Sequence, residues 1–183
     1  MLKIYLTDLA AYNKGYLIGE WVTLPMDQED IEVYITKVLK QGEALCFMQT
    51  QYYENHEEHY ISDYQWDDIS VFSINEYDDI YKLNKNLKTL EEHGKDDLDA
   101  IRFLLNENIA SNLDDALTKL DDVIVHYDST MESIAQDLLK ECYDLEIIPS
   151  IIANNIDYES IARDLELEGN YYKNNGVIYE YIG

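Results

Sequence analysis

The sequence predicts an α+β fold: an elongated chain of three small domains in which short antiparallel sheets mix with helices. Three observations predict it. Apolar residues recur at helical spacing in several separate stretches. Between them lie short runs of β-formers bounded by turn signals, the clearest being Tyr171–Tyr181 around Asn175-Gly176. Neither an internal repeat nor a low-complexity linker is present, and small units joined end to end fit the pattern better than one large core.

Lys3–Asp8 and Leu17–Leu24 read as strands on either side of a turn at Tyr12-Asn13-Lys14-Gly15, and Pro25 ends the second. From Asp27, residues Ile31, Tyr34, Ile35, Val38 and Leu39 share one helical face. Asp27 is the N-cap that this spacing predicts and Gly42 the C-terminal stop. Ala44–Thr50 and Glu58–Tyr64 read as two more strands, which closes an α+β domain over 1–72. A helical middle domain, 73–110, follows. In Glu76–Leu90 the residues Ile80, Leu83, Leu87 and Leu90 share a face, with Asp78 and Asp79 near the start and Lys82, Lys85 and Lys88 later, as the helix dipole favours. Gly94 breaks this helix, and Asp96 caps the next, which carries Leu98, Ile101, Leu104 and Leu105.

The third domain, 111–183, is again α+β. Asn112 caps a short helix with Leu113, Ala116, Leu117 and Leu120, and Val123–Tyr127 reads as a strand. Ser129-Thr130-Met131-Glu132 has the form of a capping box, opening a helix with Met131, Ile134, Ala135, Leu138, Leu139 and Cys142 inward. Pro149 restarts the chain, and Asp157 caps the last helix, with Ile156 and Ile161 placed as a hydrophobic staple and Gly169 at its end. The final hairpin turns at Asn175-Gly176.

Charge separates this chain from an ordinary soluble domain. Its 183 residues hold 38 Asp and Glu against 13 Lys and Arg, a formal net charge of −25. Solubility asks for a magnitude of about 2–8, and self-repulsion on this scale works against compactness. The 20 Ile, 17 Tyr and 13 Asn suggest an A+T-rich gene, a background that ordinarily supplies Lys. The abundance of Ile and Tyr also argues against a halophile. Hydrophobic residues make up 46%, so the chain can bury cores and is not a disordered acidic tail. Met1–Tyr12 has neither a basic nor an apolar leader region, and no run nears the roughly 20 apolar residues of a membrane span, so the sequence predicts a cytoplasmic protein. Cys46 and Cys142 lack CxxC spacing and read as reduced core cysteines.

Acidic residues invite an enzymatic or metal-binding reading, and the spacings argue against it. In His56-Glu57-Glu58-His59 the histidines stand at i,i+3, where a zincin needs i,i+4 on a helix, so the segment reads as a solvated loop. Asp63-x-Gln65-x-Asp67 begins like a calcium loop, but Asp68 replaces the sixth-position Gly and Ile74 the twelfth-position Glu. GxGxxG, GxxxxGK and GxSxG are all absent, so no phosphate cradle or nucleophile elbow is predicted. With 38 carboxylates, any chosen pair could pass for a glycosidase pair and so signifies nothing. The sequence therefore predicts a protein that is not an enzyme and takes no cofactor or metal.

The acid itself is the candidate function. It is spread as 10, 14 and 14 residues over 1–60, 61–120 and 121–183, often in pairs, with three basic residues in the last 63. Helix capping accounts for Asp27, Asp96 and Asp157, and a solvated face for more, but neither explains so few bases. The candidate partner-binding carboxylates are Asp114, Asp115, Asp121, Asp122, Asp128, Glu132, Asp137, Glu141 and Asp144. Asp137, Glu141 and Asp144 continue one stripe at spacings of four and three. B-DNA carries one charge per about 1.7 Å of axis, so 38 carboxylates match roughly 65 Å of duplex. Charge alone leaves two binding readings open: a surface imitating DNA, or an acidic interaction module for another basic DNA-binding protein.

The residues themselves resemble a known family. Ile4-Tyr5-Leu6-Thr7-Asp8-Leu9-Ala10-Ala11-Tyr12-Asn13-Lys14-Gly15-Tyr16-Leu17-Ile18-Gly19-Glu20-Trp21 is similar to the N-terminal signature of the ArdA antirestriction family. Tyr60-Ile61-Ser62-Asp63-Tyr64, ahead of Ile74-Asn75-Glu76-Tyr77, and the segment Ile156–Leu167 resemble it too. The resemblance runs through nearly the whole chain in order. It implies an elongated protein of three small α/β pieces that forms a homodimer and mimics bent B-form DNA. It also implies carriage on conjugative mobile elements and inhibition of type I restriction–modification enzymes at the DNA site of the methyltransferase core, with no nucleic acid or membrane as partner. An antirestriction motif is implied within Leu104–Asp144. Tyr16 and Glu20 stand where the resemblance implies basic residues, so this chain is more acidic there.

Overall fold

The computed structural model describes residues 1–67, 70–145 and 147–183. The fold is α+β, and the chain divides into two compact units, Met1–Gly94 and Lys95–Gly183. Each holds a three-stranded antiparallel sheet, in the order β2-β1-β3 in the first and β4-β6-β5 in the second.

The first unit is built on β1 (Leu2–Asp8), α1 (Leu9–Asn13), β2 (Gly19–Leu24), α2 (Gln28–Thr50), β3 (His59–Trp66) and α3 (Ile80–Leu90). Alternation decides its core. Leu2, Ile4 and Leu6 of β1 are fully buried, as are Val22 and Leu24 of β2, and the register pairs Leu2 with Leu24 and Ile4 with Val22. Ile31, Val38 and Cys46 of α2 are buried at helical spacing. Asn84 of α3 holds the turn before α2 by donating to the Met26 carbonyl (2.9 Å) and accepting from its amide (2.8 Å).

Two sequence expectations fail here for one reason. Gly42 is not the end of a helix, and Ala44–Thr50 is not a strand; α2 runs on to Thr50 and is closed by Gln51 in the left-handed region (φ 60°). A Cβ at Gly42 would lie 1.9 Å from Oδ2 of Asp8, so the glycine serves close approach inside a helix. Of the turn expected at Tyr12-Asn13-Lys14-Gly15, Lys14 and Gly15 (φ 86°) do turn, while Tyr12 and Asn13 end α1, which Asp8 caps by accepting from the Ala11 amide at 2.9 Å. Asp27 occupies the N-cap of α2 without a side-chain cap bond. The segment His56-Glu57-Glu58 is a loop entering β3, with both glutamates exposed, but His56 itself is not solvated: it is 4% exposed, and its Nδ1 meets Asp8 Oδ2 at 2.5 Å. Asp68, the sixth position of the calcium-loop comparison, lies outside the described residues.

The second unit comprises α4 (Lys95–Asn106), α5 (Leu113–Thr118), a 3-10 turn (Leu120–Asp122), β4 (Val123–His126), α6 (Met131–Cys142), α7 (Ser150–Ala153), α8 (Tyr158–Glu168), β5 (Tyr171–Asn174) and β6 (Val177–Tyr181). One core joins Met131, Ile134 and Ala135 of α6 to Ala162 of α8 and Ile178 of β6. In another part of the unit, Phe103 of α4 stacks on Tyr179 with ring centroids 4.7 Å apart and meets Tyr172 edge-on at 5.0 Å. The hairpin turns as expected: Asn175 (φ 50°) and Gly176 (φ 82°) are both left-handed, as a type I′ turn requires.

Smaller corrections concern helix starts and one side chain. Asp96 lies inside the first turn of α4 and is not its cap. The capping box of α6 is shifted by one residue, with Thr130 Oγ1 accepting from the Ser133 amide (3.1 Å) and Ser133 Oγ from the Thr130 amide (3.0 Å). Ser133 replaces Glu132 as the third residue, which frees Glu132 to face solvent. Cys46 is buried, but Cys142 is exposed at the end of α6 and is not a core residue.

Candidate functional site

The second unit carries 20 Asp and Glu against 6 Lys and Arg, a formal −14, and contains all nine candidate carboxylates. Short elements present them. Asn112 Oδ1 accepts from the Asp115 amide at 3.0 Å and starts α5, leaving Asp114 exposed in a first turn whose dipole favours an anion. Asp115 is committed to the fold: it accepts from the Ser111 amide (2.8 Å) and hydroxyl (3.2 Å) and pairs with Lys119 (3.1 Å). The Ser111 amide bond, then the Lys119 contact, hold its carboxyl below the usual aspartate value. Asp121 is exposed and Asp122 half-buried in the 3-10 turn, where the Asp122 carbonyl accepts from the Ile182 amide at 2.9 Å.

Asp128 is exposed at a left-handed position (φ 51°) between β4 and α6. Glu132, Asp137 and Glu141 are exposed along α6, the middle one paired with Lys140 at 3.0 Å. Asp137 and Glu141 share a face, one turn apart. Asp144 does not continue their stripe, because α6 ends at Cys142 and Tyr143 turns extended (φ −134°, ψ 138°). It is exposed beyond the helix end. Among the described residues, Asp114, Asp121, Asp122, Asp128, Glu132 and Glu141 have no cationic side chain within ion-pair distance.

Sequence reasoning placed α8, which packs beside α6, but passed over its carboxylates. Glu159, Asp164, Glu166 and Glu168 are exposed on it, with Arg163 pairing with Glu159 (3.4 Å) and Lys173 of β5 with Glu166. The scarcity of bases after residue 120 was the signal that pointed there. Asp99, by contrast, is structural: it is 8% exposed, accepts from the Tyr127 hydroxyl at 2.8 Å and pairs with Arg102 at 3.1 Å. Burial, then the carboxylates of Asp99 and Asp96, push the Tyr127 hydroxyl far above the ordinary tyrosine value.

Among the described residues no group of three or more His, Cys, Asp or Glu side chains is arranged to hold a metal ion. No helix among them is long and apolar enough to cross a membrane. A family model described as "Antirestriction protein (ArdA)" matches residues 4–179. The chain belongs to the ArdA antirestriction family. No curated protein matches it. The ArdA match spans both compact units. The segments that resemble the family form definite elements: Ile4–Trp21 builds β1, α1 and the start of β2, Tyr60–Tyr64 lies in β3, and Ile156–Leu167 covers the cap and most of α8.

Proposed function

We propose that this ArdA family protein is a non-enzymatic DNA mimic that competitively inhibits a type I restriction–modification enzyme by occupying the DNA-binding site of its methyltransferase core. It acts in the cytoplasm, without cofactor, as an elongated homodimer whose pieces follow the divisions 1–72, 73–110 and 111–183. Family membership supports interference with restriction. The observation that carries the mimicry is that six carboxylates of the second unit stand without a cationic partner among the described residues, in a region with 20 acids and 6 bases. Unpaired surface anions suit a groove that ordinarily receives phosphates, and their association with it is salt-sensitive.

Dimerisation has to offset repulsion between two chains of −25. Tyr143, Ile147, Ile151 and Ile152, all exposed within ten residues, are apolar surface suited to that contact. The test is competition with duplex DNA for a purified type I methyltransferase. Competitive inhibition without cofactor is expected, weakening steeply between about 50 and 200 mM salt. Non-competitive, salt-indifferent inhibition would falsify the mimic.

A further inference from the structure

The first unit contains an aromatic cleft that the acidic surface of the second unit does not involve. It lies on the sheet face opposite the buried side chains of Ile4 and Leu6. On that face Tyr5 of β1 sits between two register partners, Trp21 of β2 and Asp63 of β3. The Tyr5 and Trp21 rings meet edge to face with centroids 5.3 Å apart, and the Tyr5 hydroxyl donates to the Gly19 carbonyl at 3.1 Å. Tyr12 of α1 meets Tyr60 of β3 at 5.4 Å, and Tyr60 lies 6.3 Å from Tyr77. Together with Asp63 and Glu76 these rings line an open cleft of about 560 Å³.

Two properties make the cleft more than leftover surface. Its rings contact one another, yet Trp21 is 46% and Tyr77 72% exposed, so apolar area is held in water at a concave site. Its charge is one-sided: the lining includes two carboxylates and no Lys, Arg or His. Lys3, on the same face of β1 as Tyr5, is already engaged with Asp67, and Lys14, next to Asn13 in the lining, with Glu54. Aromatic faces attract cations, and a carboxylate beside them adds a charge-assisted hydrogen bond. A guanidinium uses both at once, because its plane stacks on a ring while its fork of donors meets a carboxylate, which an ammonium cannot do. Nucleic acid is disfavoured by the same charge.

We propose that this cleft is an arginine-docking site, in which a guanidinium presented by the partner protein stacks on an exposed ring at either flank, Trp21 or Tyr77, while Asp63 or Glu76 accepts its hydrogen bonds. The identity of that partner rests on the function proposed above; the chemistry of the cleft does not. Binding would then combine diffuse charge with one shaped, desolvated contact, the kind of site at which Tyr, Trp and Arg concentrate binding energy.

The test uses the full-length 15N-labelled chain titrated with the peptide acetyl-Gly-Arg-Gly-amide and its lysine and citrulline counterparts. The Trp21 indole and the Asp63 and Tyr77 amides should shift and saturate at millimolar arginine peptide, less with lysine and not with citrulline, while Trp66 serves as reference. Tyr77→Ala and Trp21→Ala should weaken the peptide and the inhibition of the methyltransferase by about fivefold each, the first at unchanged melting temperature and the second with a small drop from its lost contact with Tyr5. Equal shifts with citrulline, or none with arginine, would overturn the site. Inhibition by the unaltered chain that both variants retain in full would also overturn it, and would leave the mimic standing. A chain that binds the arginine peptide but inhibits no methyltransferase would sink the mimic and uphold the cleft.

Discussion

Asp8 and His56, 48 residues apart in the chain, meet at 2.5 Å in the core of the first unit, with both side chains fully buried. The other Asp8 oxygen accepts from the Ala11 amide, and the His56 amide donates to Glu43 on α2 at 3.1 Å. One buried pair thus ties the end of β1, the cap of α1, the middle of α2 and the loop before β3. A hydrogen-bonded buried pair of this kind is costly to disturb, since either partner left alone is an unsatisfied polar group.

Gly42→Ala should therefore destabilise the first unit. The new methyl would lie 1.9 Å from Asp8 Oδ2, so helix or carboxylate must shift, at about 1–3 kcal/mol. Gly94→Ala meets nothing within 4 Å and serves as the control, expected to be neutral or slightly stabilising. Urea denaturation of both variants measures the difference; equal midpoints would remove the close-approach account.

His59 gives a pH dependence of definite sign. Burial lowers its pKa from the ordinary 6.5, and the nearby Asp79 only partly opposes this. The folded state therefore resists protonation where the unfolded chain accepts it. No stability is lost above about pH 6.5; stability falls as the pH drops from there to the lowered folded value, and the loss is complete below it. An NMR titration should place the His59 midpoint below that of a histidine peptide, and His59→Asn should flatten the slope of stability between pH 7 and 5. A midpoint at or above the peptide's would reverse the sign.

Much of the fold was legible because local chemistry decided it. Alternation in Lys3–Asp8, the 3.6-residue pattern in Ile80–Leu90, and Asn175-Gly176 each specify an element without help from distant residues. What could not be read depended on tertiary partners. Gly42 reads as a helix stop until Asp8 and His56 occupy the space its Cβ would need. His56 reads as solvated for the same reason, although its place in a loop was legible. The candidate carboxylates were legible as types and positions, but which were committed to the fold was not. Asp115 looks like Asp114 in sequence, and only the Ser111 and Lys119 contacts separate them.

Gly176→Val should act locally. A β-branched residue at φ 82° costs about 1–3 kcal/mol, and the turn it distorts joins β5 to β6, the central strand of the second sheet. Hydrogen exchange should quicken in β4, β5 and β6 and stay unchanged in β1, β2 and β3. Equal acceleration in both sheets would show that the two units unfold as one.

Neutralising the exposed acids should reduce inhibition by degrees. An exposed ion pair is worth about 0.2–1 kcal/mol, so a single Asp→Asn change at Asp114, Asp121, Asp122 or Asp137 should matter little, and Glu141→Gln likewise. Grouped changes, with Asp144 included, should add up, more steeply if the partner's groove excludes water from the contacts. Asp115→Asn belongs apart, because it should lower the melting temperature as well. Loss of all inhibition from one such change in a stable protein would point to a local pocket instead.

The placement of the two thiols has a practical consequence for handling the molecule. Cys46 is shielded by the first core, whereas Cys142 is open to solvent one residue after Glu141. A maleimide dye should therefore modify a single position, beside the carboxylates proposed to meet the partner, and report binding without any engineered residue. The same accessibility means that air oxidation can join two copies covalently through Cys142. Stoichiometry measured with and without a reductant would then distinguish a chemical artefact from a genuine assembly.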